Sequence, residues 1–194
     1  MGYLKLFFKS IKRVMHEEAY SNPVKAVELY RKKGVKIGEN TELYNVKIDN
    51  IRPFLVEIGS NTLITGARIL THDASTKKSL GYTKLGKVKI GDNVFVGINS
   101  VILPNVTIGD NVIIGAGTVV SKNVPDNSVV VGNPMKIVGT YDDNVGRNAE
   151  KIGTCPKFEL NYNMTDADKK EMQEKLEGTV GYLAVKEELE RINK

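Results

Sequence analysis

Between Val88 and Val124 the chain repeats one pattern every six residues. Ile90, Val96, Ile102, Ile108, Ile114 and Val120 form an aliphatic column. Three residues further on, Asn93, Asn99, Asn105, Asn111, Gly117 and Asn123 form a column of the residues that best tolerate a left-handed backbone, which predicts a turn in every hexad. One step past the turn, Val94, Ser100, Val106, Val112, Thr118 and Val124 supply a second, smaller inward position. A helix of 3.6 residues per turn would scatter these columns around its surface, and a two-residue strand period does not by itself set a turn at every sixth place. The pattern therefore specifies a solenoid, whose units bury their apolar faces only by stacking. Three hexads per triangular coil would place Ile90 under Ile108, Val96 under Ile114 and Ile102 under Val120, about 4.8 Å apart.

On either side the repeat frays. Residues 1–34 are expected to form a helical cap. Leu4, Phe7, Phe8, Ile11, Val14 and Met15 recur at helical spacing opposite lysines, and a second helix runs from Val24 to Lys33 with Gly34 as its stop. The first of these helices could instead touch a membrane surface, the less favoured reading. The solenoid occupies residues 35–140. It falters at 49–53 and is interrupted by the polar segment 73–87, read as a loop thrown out of the coil. Ser128 to Val131 reads as a last strand. Residues 141–194 form an extension, irregular over 141–163, then a helix capped by Thr165 and a final helix from Tyr182 to Ile192.

Composition narrows the function classes. A net charge of +5 favours anionic ligands, yet the basic residues are dispersed and no nucleic-acid-binding motif is present. One cysteine, Cys155, excludes an internal disulfide and points to a reducing, cytoplasmic setting. No apolar run approaches the roughly 20 residues that span a bilayer.

The segments Ile90-Gly-Asp-Asn-Val-Phe-Val-Gly97, Ile108 through Lys122 and Gly132-Asn-Pro-Met-Lys136 resemble the hexapeptide-repeat acyltransferases, and more narrowly the O-acetyltransferases of the galactoside, maltose and polysaccharide-modifying type. That resemblance implies a mainly β fold, a left-handed parallel β-helix. The hand comes from the resemblance, since the general rule for parallel crossovers gives a right-handed one. It further implies a homotrimer that binds acetyl-CoA between adjacent subunits. His72, just before the interrupting segment, matches the family's catalytic base, which would remove the proton of a sugar hydroxyl attacking the thioester. Asp73 need not orient it, because neighbours on an extended chain point opposite ways. For the cofactor, Ile98 and Ala116 match backbone contacts to the pantetheine arm, Ser121 and Lys122 match a pair near the nucleotide, and Lys136 matches a basic residue near the phosphates. Gly139 stands where a second basic residue is often found. Asn45 and Asp49 align with acceptor contacts, and a structural role in their irregular turn competes with that assignment.

The leading expectation is acetyl-CoA-dependent O-acetylation of a sugar or glycan precursor without a metal. Acyl transfer to an amine of an aminosugar or xenobiotic, and a scaffold that has lost turnover, are the alternatives. A zinc carbonic anhydrase needs three histidine ligands, whereas this chain has only His16 and His72.

Overall fold

The computed structural model describes residues 22–192, in two compact units divided after Tyr141. The amphipathic segment from Leu4 to Met15, and His16 beside it, lie outside the described residues. The first unit opens with helix α1 (Pro23–Lys32). Asn22 caps it by accepting from the Lys25 N–H, and Pro23 loses nothing because a first-turn N–H has no helical partner. Ala26, Val27 and Tyr30 are buried. The Tyr30 hydroxyl donates to the Val46 carbonyl and accepts from the Ile48 N–H, which ties the helix to the first coil.

Four three-stranded coils follow. The first is β1 (Lys36–Ile37), β2 (Glu42–Tyr44) and β3 (Lys47–Ile48). The second is β4 (Val56–Ile58), β5 (Leu63–Thr65) and β6 (Arg68–Ile69). An arm leaves the solenoid here, with β7 (His72–Asp73) antiparallel to β8 (Lys84–Leu85) and the short helix α2 (Lys77–Leu80) between them. The segment expected as a loop is thus a folded hairpin. The third coil is β9 (Val88–Ile90), β10 (Phe95–Val96) and β11 (Val101–Ile102), and the fourth is β12 (Val106–Ile108), β13 (Val112–Ile114) and β14 (Val119–Val120). Equivalent strands stack into three parallel sheets, β1-β4-β9-β12, β2-β5-β10-β13 and β3-β6-β11-β14.

The hexad sets this register. Ile90 pairs with Ile108, Val96 with Ile114 and Ile102 with Val120. All six side chains are buried, and burying each contributes roughly 1.5–3 kcal/mol. The smaller inward column is buried as well, and its two hydroxyls, on Ser100 and Thr118, donate to the Gly115 carbonyl. Outside the core, a carboxylate ladder links the coils: Asp92 accepts from the Ser60 N–H, Asp110 from the Asp92 N–H and Asp126 from the Asp110 N–H.

Asn93, Asn99, Asn105, Asn111 and Gly117 have the positive φ that their column predicts, but Asn123 does not. The step shortens there. Val124 pairs with Ile108 sixteen residues behind it, whereas the third and fourth coils keep a step of eighteen. The left-handed corner moves to Asn127, and the Asn123 side chain instead accepts from the Thr107 N–H.

β15 (Ser128–Val131) then extends the second sheet beyond β13, and β16 (Lys136–Gly139) returns antiparallel to it.

After β16 in the chain, α3 (Tyr141–Thr154) replaces the irregular stretch expected from the sequence. Tyr141, Val145, Ala149 and Ile152 recur along it at helical spacing, interrupted by Gly146 and Gly153, while Asp142 and Asp143 in its first turn and Lys151 in its last suit the helix dipole. In the second unit β17 (Lys157–Glu159) precedes α4 (Asp166–Lys175), where Thr165 and Asp168 form the reciprocal bonds of a capping box. β18 (Tyr182–Ala184) pairs parallel with β17, so the last helix, α5 (Lys186–Ile192), starts four residues later than the sequence suggested. Among the described residues no helix is long and apolar enough to cross a membrane.

Candidate active site

Two departures from the eighteen-residue coil build the site. Ile37 pairs with Ile58 and Ile48 with Ile69, a step of twenty-one, so the first coil carries three extra residues. One residue is saved at the corner between β2 and β3 and four are added after β3, where the chain makes a turn at Asp49 and a 3₁₀ turn at Pro53–Leu55. The second departure is the arm that begins at His72. Because β3 and β6 lie side by side, the turn at Asp49 and the start of the arm arrive at the same place.

Asp49 is the centre of that place, its side chain only 1% exposed. Its Oδ1 accepts from the Ile51 N–H at 2.9 Å. Its Oδ2 accepts from the Thr71 N–H at 3.1 Å and the Thr71 hydroxyl at 2.9 Å, and it also bonds Nδ1 of His72. Burial pushes the Asp49 carboxyl up, but the bonds from the Ile51 N–H, His72 and Thr71 outweigh it and hold the group down at about 2. An ionised carboxylate only accepts, so Nδ1 of His72 carries a proton, and in the neutral imidazole the lone pair is on Nε2. The imidazole is 28% exposed and remains within reach of a ligand. Asp73 does not take part: it accepts from the N–H and hydroxyl of Ser75 and pairs with Lys84 along the arm.

His72 and Asp49 lie in a groove of about 710 Å³. Tyr30 and Lys33 line it from α1 and the residue that follows, Asn45, Lys47 and Asn50 from the first coil, and Arg68 and Leu70 from the second. Asn45 is exposed on a left-handed corner with φ 53°. The groove thus unites His72, Asp49 and Asn45.

The residues expected to meet the cofactor lie elsewhere on the chain. Ile98 and Ala116 occupy the same corner column as Asn45, in the third and fourth coils. There the corner is one residue longer: Ile64 and Ile69 are five apart, whereas their partners Val96 and Ile102 are six apart. Ile98 is 56% exposed, and its carbonyl accepts from the Gly117 N–H. A Cβ on Gly97 would stand 2.6 Å from the Ala116 nitrogen, so only glycine lets the two corners close. Ser121 and Lys122 are exposed just after β14, and Lys136 is exposed at the start of β16. None of these five lines the His72 groove in a single chain.

Sequence reasoning passed over Thr71, Tyr30, Lys33, Lys47 and Arg68. The twenty-one-residue spacing of Leu43 to Ile64 and Ile48 to Ile69 was the signal for Thr71, since it puts Asp49 beside the residues that precede the arm.

The bacterial transferase hexapeptide model, of six repeats, matches residues 87–122. Protein CapG of Staphylococcus aureus is 38% identical over 169 residues, covering 82% of this chain and 90% of that protein. The chain belongs to the hexapeptide-repeat acetyltransferase family. A family acetyltransferase from Vibrio cholerae, solved in complex with acetyl coenzyme A, is 28% identical with a TM-score of 0.50, over 56% of this chain and 61% of that one. The chain therefore spans less than two thirds of that structure. A galactoside acetyltransferase in complex with coenzyme A is 26% identical with a TM-score of 0.51, over 80% and 84% of the two chains.

Proposed function

We propose that the protein transfers an acetyl group from acetyl-CoA to a hydroxyl of a sugar or glycan precursor, with His72 as general base. The observation that carries this reading is the Asp49–His72 pair in an open groove. Asp49 fixes the tautomer and ring plane, so Nε2 faces chemistry as an acceptor. As the hydroxyl oxygen attacks the thioester carbonyl, Nε2 takes its proton. When the tetrahedral adduct collapses and the C–S bond breaks, the imidazolium returns that proton to the departing thiolate, giving an acetyl ester and free CoA. Asp49 stabilises the imidazolium in between, as an ionised partner does in other base-assisted acyl transfers.

Ile98 and Ala116 offer backbone to the pantetheine arm at their elongated corners, and Ser121, Lys122 and Lys136 serve the nucleotide and phosphates. Their absence from the His72 groove of one chain supports a donor site completed by an adjacent copy in a homotrimer. Acetyl coenzyme A in the Vibrio cholerae relative and coenzyme A in the galactoside acetyltransferase support the donor. Residues 35–140 would be the catalytic domain, with 1–34 as its cap and 141–194 as an extension, in a cytoplasmic enzyme.

The test is turnover on a panel of sugar acceptors, run beside a melting measurement with acetyl-CoA. Donor at 100 times its dissociation constant should stabilise both wild type and His72→Ala by about 2.7 kcal/mol, while only wild type turns over. Full turnover by His72→Ala would overturn the reading.

A further inference from the structure

Lys47 on β3 and Arg68 on β6 are Cα partners across neighbouring parallel strands. Both are exposed and both line the groove that holds His72. Strands lie about 4.8 Å apart, so two cations are set side by side on the outward face of the sheet. Like charges directly opposite one another destabilise a sheet, and nothing here relieves them. Among the described residues neither side chain makes a hydrogen bond or an ion pair, and the one carboxylate lining the groove, Asp49, has both oxygens engaged by Ile51, Thr71 and His72. Lys33 adds a third cation to the rim, its ammonium 5.5 Å above the Tyr30 ring.

From this arrangement we infer that the acceptor is a phosphorylated sugar, and that Lys47 and Arg68 hold its phosphoryl or diphosphoryl group while the sugar hydroxyl meets His72. The inference rests on the acetyl-transfer reading for its second half only. A dianionic phosphate or a diphosphate neutralises both cations at once and matches the guanidinium fork of Arg68, whereas a single carboxylate leaves one cation uncompensated. Lys47 and Arg68 make no hydrogen bond or ion pair with Asp49 or His72, so they act on the acceptor's charge and leave the proton chemistry alone.

The experiment uses the full chain and two readouts. In the first, calorimetric binding compares glucose, glucuronate, glucose 1-phosphate and UDP-glucose on wild type, Lys47→Gln/Arg68→Gln and His72→Ala. Loss of a charge-assisted contact to phosphate weakens binding by about tenfold per cation. The phosphorylated probes should bind wild type and His72→Ala alike, and bind the double variant about 100-fold more weakly. The neutral sugar should not discriminate among the three. In the second readout, the dissociation constant for acetyl-CoA should be the same in wild type and the double variant. Equal binding of glucose and its phosphates to wild type would overturn the inference, as would preference for glucuronate or a double variant whose defect lies in acetyl-CoA binding. Because binding is read without turnover, phosphate selectivity in a protein that fails to acetylate would sink the transfer reading and leave the anion site standing.

Discussion

The third and fourth coils and the first and second coils are the same architecture used for different ends. From Val88 to Val120 the step is eighteen residues, every aliphatic column is buried, and the corners repeat without interruption. From Lys36 to Leu85 the steps are twenty-one and thirty-two, and each surplus leaves the stack as a turn or an arm. The buried acid and the histidine both sit at those surpluses. A regular stack presents only what its columns contain, aliphatic side chains and small hydroxyls inside, turn residues at the corners and the aspartate ladder beside them. A polar pair with a fixed geometry has to be placed where the repeat is broken, with the unbroken coils above supplying the rigidity.

Several substitutions would break or sharpen that contrast. The largest effect falls in the irregular half: His72→Ala should lower kcat by ~10²–10⁴-fold, while the melting temperature falls only by the loss of one bond to Asp49, as read by steady-state kinetics and calorimetry. In the regular half the loss should be purely one of stability. Ile114→Ala, at a fully buried column position, should cost about 2–5 kcal/mol by denaturant unfolding, with kcat per folded molecule retained.

Asp49→Asn belongs to the irregular half and should affect both quantities. It removes the acceptor that fixes the His72 tautomer, so kcat should fall about 10²-fold. It also removes a pH dependence of folding. The Asp49 carboxyl is held near 2 in the folded protein, below its ordinary value of 3.8, so its contribution is fully present above about pH 4 and is lost as the pH falls toward 2. That contribution is on the order of 2 kcal/mol. Unfolding curves of wild type should weaken over that window more steeply than those of Asp49→Asn.

The smallest effect tests the corners. Asn111 holds φ 54°, so Asn111→Ala should cost about 1 kcal/mol while Asn111→Gly is nearly neutral. At Asn123, whose φ is not positive, glycine should lose the bond to the Thr107 N–H and gain nothing in return.

How much of this could be read beforehand follows the same division. The register of Ile90 with Ile108 and its two sister columns was legible because hexads leave no other way to bury six aliphatic side chains. His72 stood out by its place before the interruption. Asp49 reads in the sequence as an acceptor contact or a structural residue of an irregular turn, and its bond to His72 is not visible there, because its partners Thr71 and His72 are over twenty residues away and meet it only through the lengthened coil. Asn123 was misplaced for a related reason: the two-residue shortening after Val120 changes no residue type in the column. α3 escaped because Gly146 and Gly153 disguise a stripe of only four apolar residues, Tyr141, Val145, Ala149 and Ile152, and β18 because a three-residue strand beside a charged helix looks like that helix's first turn.

The measurement that bears most directly on the central claim is a double-mutant cycle in kcat over wild type, His72→Ala, Asp49→Asn and the double variant, at saturating donor and a pH above 5. If Asp49 works by orienting His72, the double variant will be no slower than His72→Ala alone, because with the imidazole gone there is nothing left to orient. If the two losses multiply, Asp49 acts on the reaction independently and the pair is not the unit described here.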